Sequence, residues 1–168
     1  MDRYQKFINE KAKKKRELLG KMFFPRTPVL LINCADSGTD DYGALFEGLK
    51  SIDLTTIVVA PHPAAQRDKN IFYFTPDKLE DAAAAADFVV APDNGNLKTW
   101  RAEGCVPISQ LDGDSTVNYN PLQEKGNGFY FKNPTAWEMF AAVVRALETY
   151  QFPYDWENLV REMLKEEK

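Results

Sequence analysis

At 168 residues the chain has room for one domain with its own core, needing neither metals nor disulfides. Apolar residues make up 44 % and charged residues 27 %, and the formal net charge of −4 offers no general attraction to nucleic acid or to an anionic membrane. The two cysteines, Cys34 and Cys105, are too few for a disulfide framework; each borders a run of strand character, so both are expected as free core thiols. No apolar stretch approaches the ~20 residues of a membrane span. The first residues are charged and helical, unlike a signal peptide, so a cytoplasmic location is expected.

Residues 4–20 read as a helix ended by Gly20, with Phe7, Ile8, Leu18 and Leu19 as a partial apolar stripe. Its basic run, Lys11, Lys13, Lys14, Lys15 and Arg16, is read as the solvated face of that helix rather than a nucleic-acid or membrane patch. Residues 29–34 form an apolar run of strand length. A helical pattern over 40–50 places Tyr42, Leu45, Phe46 and Leu49 on one face. A second, β-branched run over 55–60 stops at Pro61 and Pro63, and a third covers 71–74. Pro76 opens an alanine-rich helix through Ala86. A strand over 88–91, a short helix at about 95–103 ended by Gly104, and a strand over 105–109 follow. Gly126 and Gly128 frame a turn into a strand over 129–131. Asn133 is expected to cap the next helix with Pro134 at its first position. That helix reaches about Tyr150, with Trp137, Phe140, Ala141, Val144 and Leu147 at helical spacing. A last amphipathic helix carries Trp156, Leu159, Val160 and Met163.

The strands are buried apolar runs, and helices alternate with them. That pattern predicts a Rossmann-like, three-layer α/β/α sandwich, with a mostly parallel sheet of about six strands and right-handed crossovers. With no repeat, low-complexity linker or internal boundary, residues 1–168 are expected to form a single domain. In such a fold a ligand lies beyond the carboxyl ends of the strands, here the segments starting at Asn33, Ala60, Ala91 and Ser109.

Several segments carry a more specific resemblance. The lysine-rich helix ending in Leu-Gly (NEKAKKKRELLG, residues 9–20), PVLLI at 28–32, AADFVVAP at 85–92, GCVPI at 104–108, GNGFYF at 126–131 and the closing helices around Trp137, Arg145, Trp156 and Met163 occur in one order. In that order the chain resembles the C-terminal, nucleotide-sugar-binding domain of glycogen and starch synthases, one half of the GT-B glycosyltransferase fold. The resemblance implies transfer of glucose from ADP-glucose or UDP-glucose to an α-glucan with retention of configuration. It also implies an arginine and a lysine that neutralise the departing diphosphate, because fixed cations stabilise the charge that grows as it leaves.

Aligned on Asp41, the arginine position of the family falls at Asn33 and the lysine position at Gly38. The segment is acidic instead, with Asp36, Asp40 and Asp41, and each close carboxylate opposes a diphosphate by about 1 kcal/mol or more. Where the family has a Glu-x-x-Gly-Leu motif this chain has Pro92, Asp93, Asn94, Gly95, Asn96 and Leu97, with about four residues fewer. Asp93 is a loose substitute for the glutamate, and Gly95 and Asn96 remain able to present amides at a helix start. Where the family has Gly-Gly-x-x-Asp-Thr-Val the chain has LDGDSTV at 111–117, with Asp112 at a glycine position beside Gly113. The family's acceptor-binding N-terminal domain, with its catalytic histidine, has no counterpart in these 168 residues, so glycosyl transfer by this chain alone is not expected and no catalytic residue is assigned.

Individual residues admit plainer readings. His62, the one histidine, sits at the ligand-facing end of the second strand, although a histidine between two prolines is more often an ordinary loop residue. Ser37, Gly38 and Thr39 either cradle a phosphate or simply cap a helix. Asp93, Asp112 and Asp114 are read as solvated turn residues in preference to a Mg²⁺ or Ca²⁺ site. Trp100, Trp137 and Trp156 are read as core or interface rather than a sugar platform. The candidate ligand contacts are therefore Ser37, Gly38, Thr39, His62, Asp93, Asn94, Gly95, Asn96, Asp112 and Gly113, with no metal and no resident cofactor. Expected partners are a nucleotide sugar (ADP-glucose or UDP-glucose) or a glucan, and a partner chain or a second copy. The expectation is a glycosyltransferase-like domain, catalytically degenerate alone and retaining at most nucleotide or nucleotide-sugar binding. The alternatives are a protein-interaction or oligomerisation module, or the separate C-terminal half of a split hexosyltransferase.

Overall fold

The computed structural model describes residues 1–62, 68, 70–91, 96–111 and 116–166. Among the described residues there are six strands: β1 (Val29–Asn33), β2 (Thr55–Val59), β3 (Ile71–Phe74), β4 (Phe88–Ala91), β5 (Val106–Gln110) and β6 (Phe129–Phe131). They form one sheet in the order β3-β2-β1-β4-β5-β6, and every neighbouring pair is parallel. This is the doubly wound Rossmann order, in which the direction of strand addition reverses between β1 and β4.

The helices are α1 (Arg3–Leu19), α2 (Gly43–Leu49), α3 (Leu79–Ala85), α4 (Leu97–Ala102), α5 (Ala136–Gln151) and α6 (Pro153–Glu166). The pleat sends alternate side chains to opposite faces, so one strand feeds two cores. Leu30 and Ile32 of β1 join Leu45 and Leu49 of α2, Val143 of α5 and Leu159 of α6. Val29 and Leu31 join Ala82 and Ala83 of α3 and Trp100 of α4. The methyl-sized residues of α3 let that helix lie close to the sheet. Helix α1 runs beside α3 past the amino ends of β1, β4 and β5, with Tyr4 and Phe7 packed on the first core and Leu18 and Leu19 on the second.

Three sequence expectations need correction. Lys13 and Lys14 do face solvent, paired with Glu17. Lys11 and Lys15 do not: they are 5 % and 6 % exposed. The ammonium of Lys15 lies 2.6 Å from Asp87 Oδ2, and that of Lys11 donates to the carbonyls of Ala84, Ala86 and Glu103. A buried lysine persists only with such partners.

The second correction is the core face of α5. Met139, Ala142, Val143 and Ala146 are buried, whereas Trp137 is 78 % exposed and Val144 41 %. Of the stripe read from the sequence, Phe140 and Leu147 pack against the first core, while Trp137 and Val144 face outward. Trp100 and Trp156 are in the core as expected.

The third is the start of α5. Thr135, not Asn133, is the N-cap, and its Oγ1 accepts the Glu138 N–H at 3.2 Å. Glu138 reaches back to accept the backbone N–H groups of Lys132 and Asn133. This is an extended capping box, with Pro134 outside the helix.

Candidate functional site

The switch point between β1 and β4 places the candidate crevice beside the turn that follows β1. That turn is organised around its own backbone. Cys34 N–H donates to Val59 O at 2.8 Å, tying the turn to β2. Asn33 Oδ1 accepts the Ala35 N–H at 3.1 Å, closing a small side-chain turn. Gly38 adopts φ +73°, a left-handed conformation suited to glycine, and its N–H donates to Cys34 O at 3.0 Å. The amides of Ala35 and Gly38 are thus spent inside the turn rather than offered to an anion.

Ser37 is exposed, and its hydroxyl has only a long 3.5 Å contact, to Gly38 O. Thr39 makes no side-chain cap; a three-residue 3-10 turn, Asp40–Tyr42, leads from it into α2. Asp36, Asp40 and Asp41 are exposed, and no Lys or Arg occurs between Asn33 and Leu49. Beneath the turn the Cys34 thiol is buried, and desolvation pushes its pKa up to about 12, so it stays protonated. His62 is exposed just beyond the end of β2.

Asn96 enters α4 with φ 61°, and its carbonyl accepts the Trp100 N–H at 2.9 Å. Asp93, Asn94, Gly95, Asp112, Gly113 and Asp114 lie outside the described residues. The structure therefore places Ser37, Gly38, Thr39 and His62 along the carboxyl edge of β1 and β2, with Asn96 following β4. Among the described residues no three His, Cys, Asp or Glu side chains gather as metal ligands. None of the described helices is long and apolar enough to cross a membrane.

Similarity to known proteins follows this architecture. Over 65 residues the chain is 34 % identical to glycogen synthase 1 of Synechocystis sp., covering 37 % of this chain and 14 % of that protein. It is 35 % identical over 65 residues to glycogen synthase of Geobacillus stearothermophilus, covering 37 % of this chain and 13 % of that protein. The backbone superposes on starch synthase IV of Arabidopsis thaliana, solved with ADP and acarbose, with a TM-score of 0.68 at 16 % identity. That superposition covers 95 % of this chain and 39 % of the solved one. The fold is that of one half of a GT-B glycosyltransferase. The lipopolysaccharide glycosyltransferase WaaG matches this GT-B half as well, with a TM-score of 0.60 at 15 % identity over 95 % of this chain and 48 % of WaaG. No family model matches the sequence. The stretch that matches covers about one seventh of the length of these curated relatives.

Two clusters escaped sequence reasoning. One is the buried group of Lys11, Lys15, Asp87 and Cys105 at the amino ends of β4 and β5. A signal for it was present: Phe7, Lys11, Lys15 and Leu19 recur every four residues, so both lysines share a helix face with two apolar residues. The other is a small pocket at the junction of α5 and α6, formed by residues distant in sequence, for which no local pattern exists.

Proposed function

We propose that this GT-B-type domain is catalytically degenerate on its own and binds at most a nucleotide or a nucleotide sugar, ADP-glucose or UDP-glucose. The observation that carries this reading is the turn after β1. It contains no cation, exposes three carboxylates, and spends the Ala35 and Gly38 amides on itself. A leaving diphosphate needs fixed positive groups, and the loss of a single such stabilising group costs about 10²–10³ in rate. The starch synthase solved with ADP supports a nucleotide as the ligand class, because this fold superposes on it over 95 % of this chain. Asn96, His62 and the residues 93–95 and 112–113 are the proposed contacts to base, ribose or sugar. Titration calorimetry with ADP, ADP-glucose, UDP-glucose and a maltooligosaccharide tests the reading. Millimolar or tighter binding of a nucleotide, without transfer activity, is the expected result. Glucosyl transfer by the isolated chain refutes the degeneracy, and a stable fold that binds none of the four refutes retained ligand binding.

A second reading, an interaction or oligomerisation module, is favoured by one observation. Trp137, Phe152 and Tyr154, on and between the two closing helices, are 78 %, 56 % and 66 % exposed, large apolar side chains that a partner surface could cover. Sedimentation of the purified chain as a strict monomer counts against its self-association form.

A further inference from the structure

Where α5 ends and α6 begins, a pocket of about 320 Å³ opens beside the start of β6. Its floor is the buried rings of Tyr119 and Phe129, and the half-exposed ring of Phe152 forms one wall. Three charged side chains line it, Arg145, Glu148 and Asp155. Arg145 is already engaged, donating from Nη2 to the Tyr130 carbonyl at 2.5 Å. Neither Glu148 nor Asp155 pairs with a cation among the described residues. Two carboxylates against one guanidinium leave the lining with a net charge of −1. Glu148 and Thr149 also belong to the last turn of α5, the negative end of the helix dipole, where cations are favoured.

Two exposed apolar residues neighbour lining residues in the chain, Leu122 next to Pro121 and Tyr154 next to Asp155. Leu122 is 95 % exposed and Tyr154 66 %, and the Tyr154 hydroxyl donates to Glu124 at 2.7 Å, tying the turn that carries Leu122 to α6. The half-open space suits one side chain, and Leu122 and Tyr154 offer apolar surface to the chain on either side of it.

We propose that this pocket docks a cationic side chain, an arginine or lysine presented by a protein partner, with the cation between the Phe152 ring and the Glu148 and Asp155 carboxylates. Aromatic faces attract such cations, and a guanidinium also stacks flat on a ring. The local potential agrees with this: the Tyr119 phenol is pushed up to about 12, first by burial and then by the Asp155 carboxylate. The pocket lies at the amino-end side of the sheet, because α5 runs back from the carboxyl end of β6. It is therefore separate from the nucleotide crevice, and its test is independent of that reading.

The test is amide chemical-shift mapping of the full chain, titrated with the blocked tripeptide acetyl-Leu-Arg-Leu-amide, the same peptide with citrulline for arginine, and ethylguanidinium alone. The arginine peptide is expected to shift the Glu148, Thr149, Phe152 and Asp155 signals. Its affinity is expected to fall about tenfold in Glu148→Gln/Asp155→Asn and again in Phe152→Ala, all surface changes that leave the fold intact. No shift at millimolar peptide, shifts elsewhere, or equal binding of the citrulline peptide overturns the proposal. Ethylguanidinium binding as tightly as the peptide overturns the protein partner in favour of a free organic cation.

Discussion

Lys15 and Asp87 form an ion pair at 2.6 Å beneath the sheet, and the carboxylate oxygen that meets the ammonium also accepts the Val29 N–H at 2.8 Å. Asp87 joins the amino ends of three strands, since its backbone N–H donates to Val29 O and its carbonyl accepts the Val106 N–H. One residue thereby connects α1 to β1, β4 and β5 through its side chain and its backbone.

Removal of one partner leaves a buried charge uncompensated. Lys15→Met is expected to destabilise the fold by about 3–5 kcal/mol. Asp87→Leu also orphans the Val29 amide, so its loss should be at least as large. The double variant Lys15→Met/Asp87→Leu should lose less than the sum of the two. Urea denaturation followed by circular dichroism reads all three; additive losses would contradict a coupled pair.

Lys11 gives a dependence on pH. Its ammonium has three carbonyl acceptors, matching its three hydrogens, yet burial holds its pKa below the ordinary lysine value, with the nearby Cys105 and Asp87 partly opposing the shift. The folded chain therefore releases this proton at lower pH than the unfolded chain does. Between the lowered folded value and about 10.4 the unfolded state binds more protons, so this residue makes stability rise with pH across that window. Below the folded value its contribution is constant. The Lys11→Met variant should lack this rise. Denaturation midpoints measured from pH 7 to 10 for both chains check it, and parallel curves would refute it.

Gly104 has φ +74°, and a Cβ placed there would lie 2.0 Å from the Phe7 ring of α1. Gly104→Ala is expected to cost about 2–4 kcal/mol, combining overpacking with a left-handed alanine. In a Phe7→Ala background only the backbone part should remain, about 1 kcal/mol. Thermal denaturation of the two singles and the double separates the parts, and an unchanged cost in that background would assign all of it to the backbone.

Both thiols should be inert in the native state. Burial pushes Cys105 up to about 11 and Cys34 up to about 12, and the Cys105 thiol donates to Ala83 O at 2.8 Å. Only thiolates react, so alkylation by iodoacetamide at pH 8 is expected to be limited by opening of the fold. Full labelling in urea and fast labelling of the native chain together would rule this out.

The sequence by itself determined the fold class. Continuous apolar runs such as residues 29–34 can be buried only in a sheet covered on both faces, and a parallel sheet has its ligand edge at the strand carboxyl ends. It also located the switch-point turn and the absence of cations from it, because both are contiguous in the chain. Tertiary structure decided matters that depend on contacts between distant segments. A lysine-rich helix looks solvated until Asp87, 72 residues beyond Lys15, takes up one of its ammonium groups. In α5, periodicity alone cannot rank the apolar positions. The packing of Met139 and Val143 on the sheet set the core face and left Trp137 and Val144 outside. The pocket between Phe152, Glu148 and Asp155 exists only because α5 and α6 meet beside β6. Periodicity reports which residues share a face; only the assembled layers determine what that face meets.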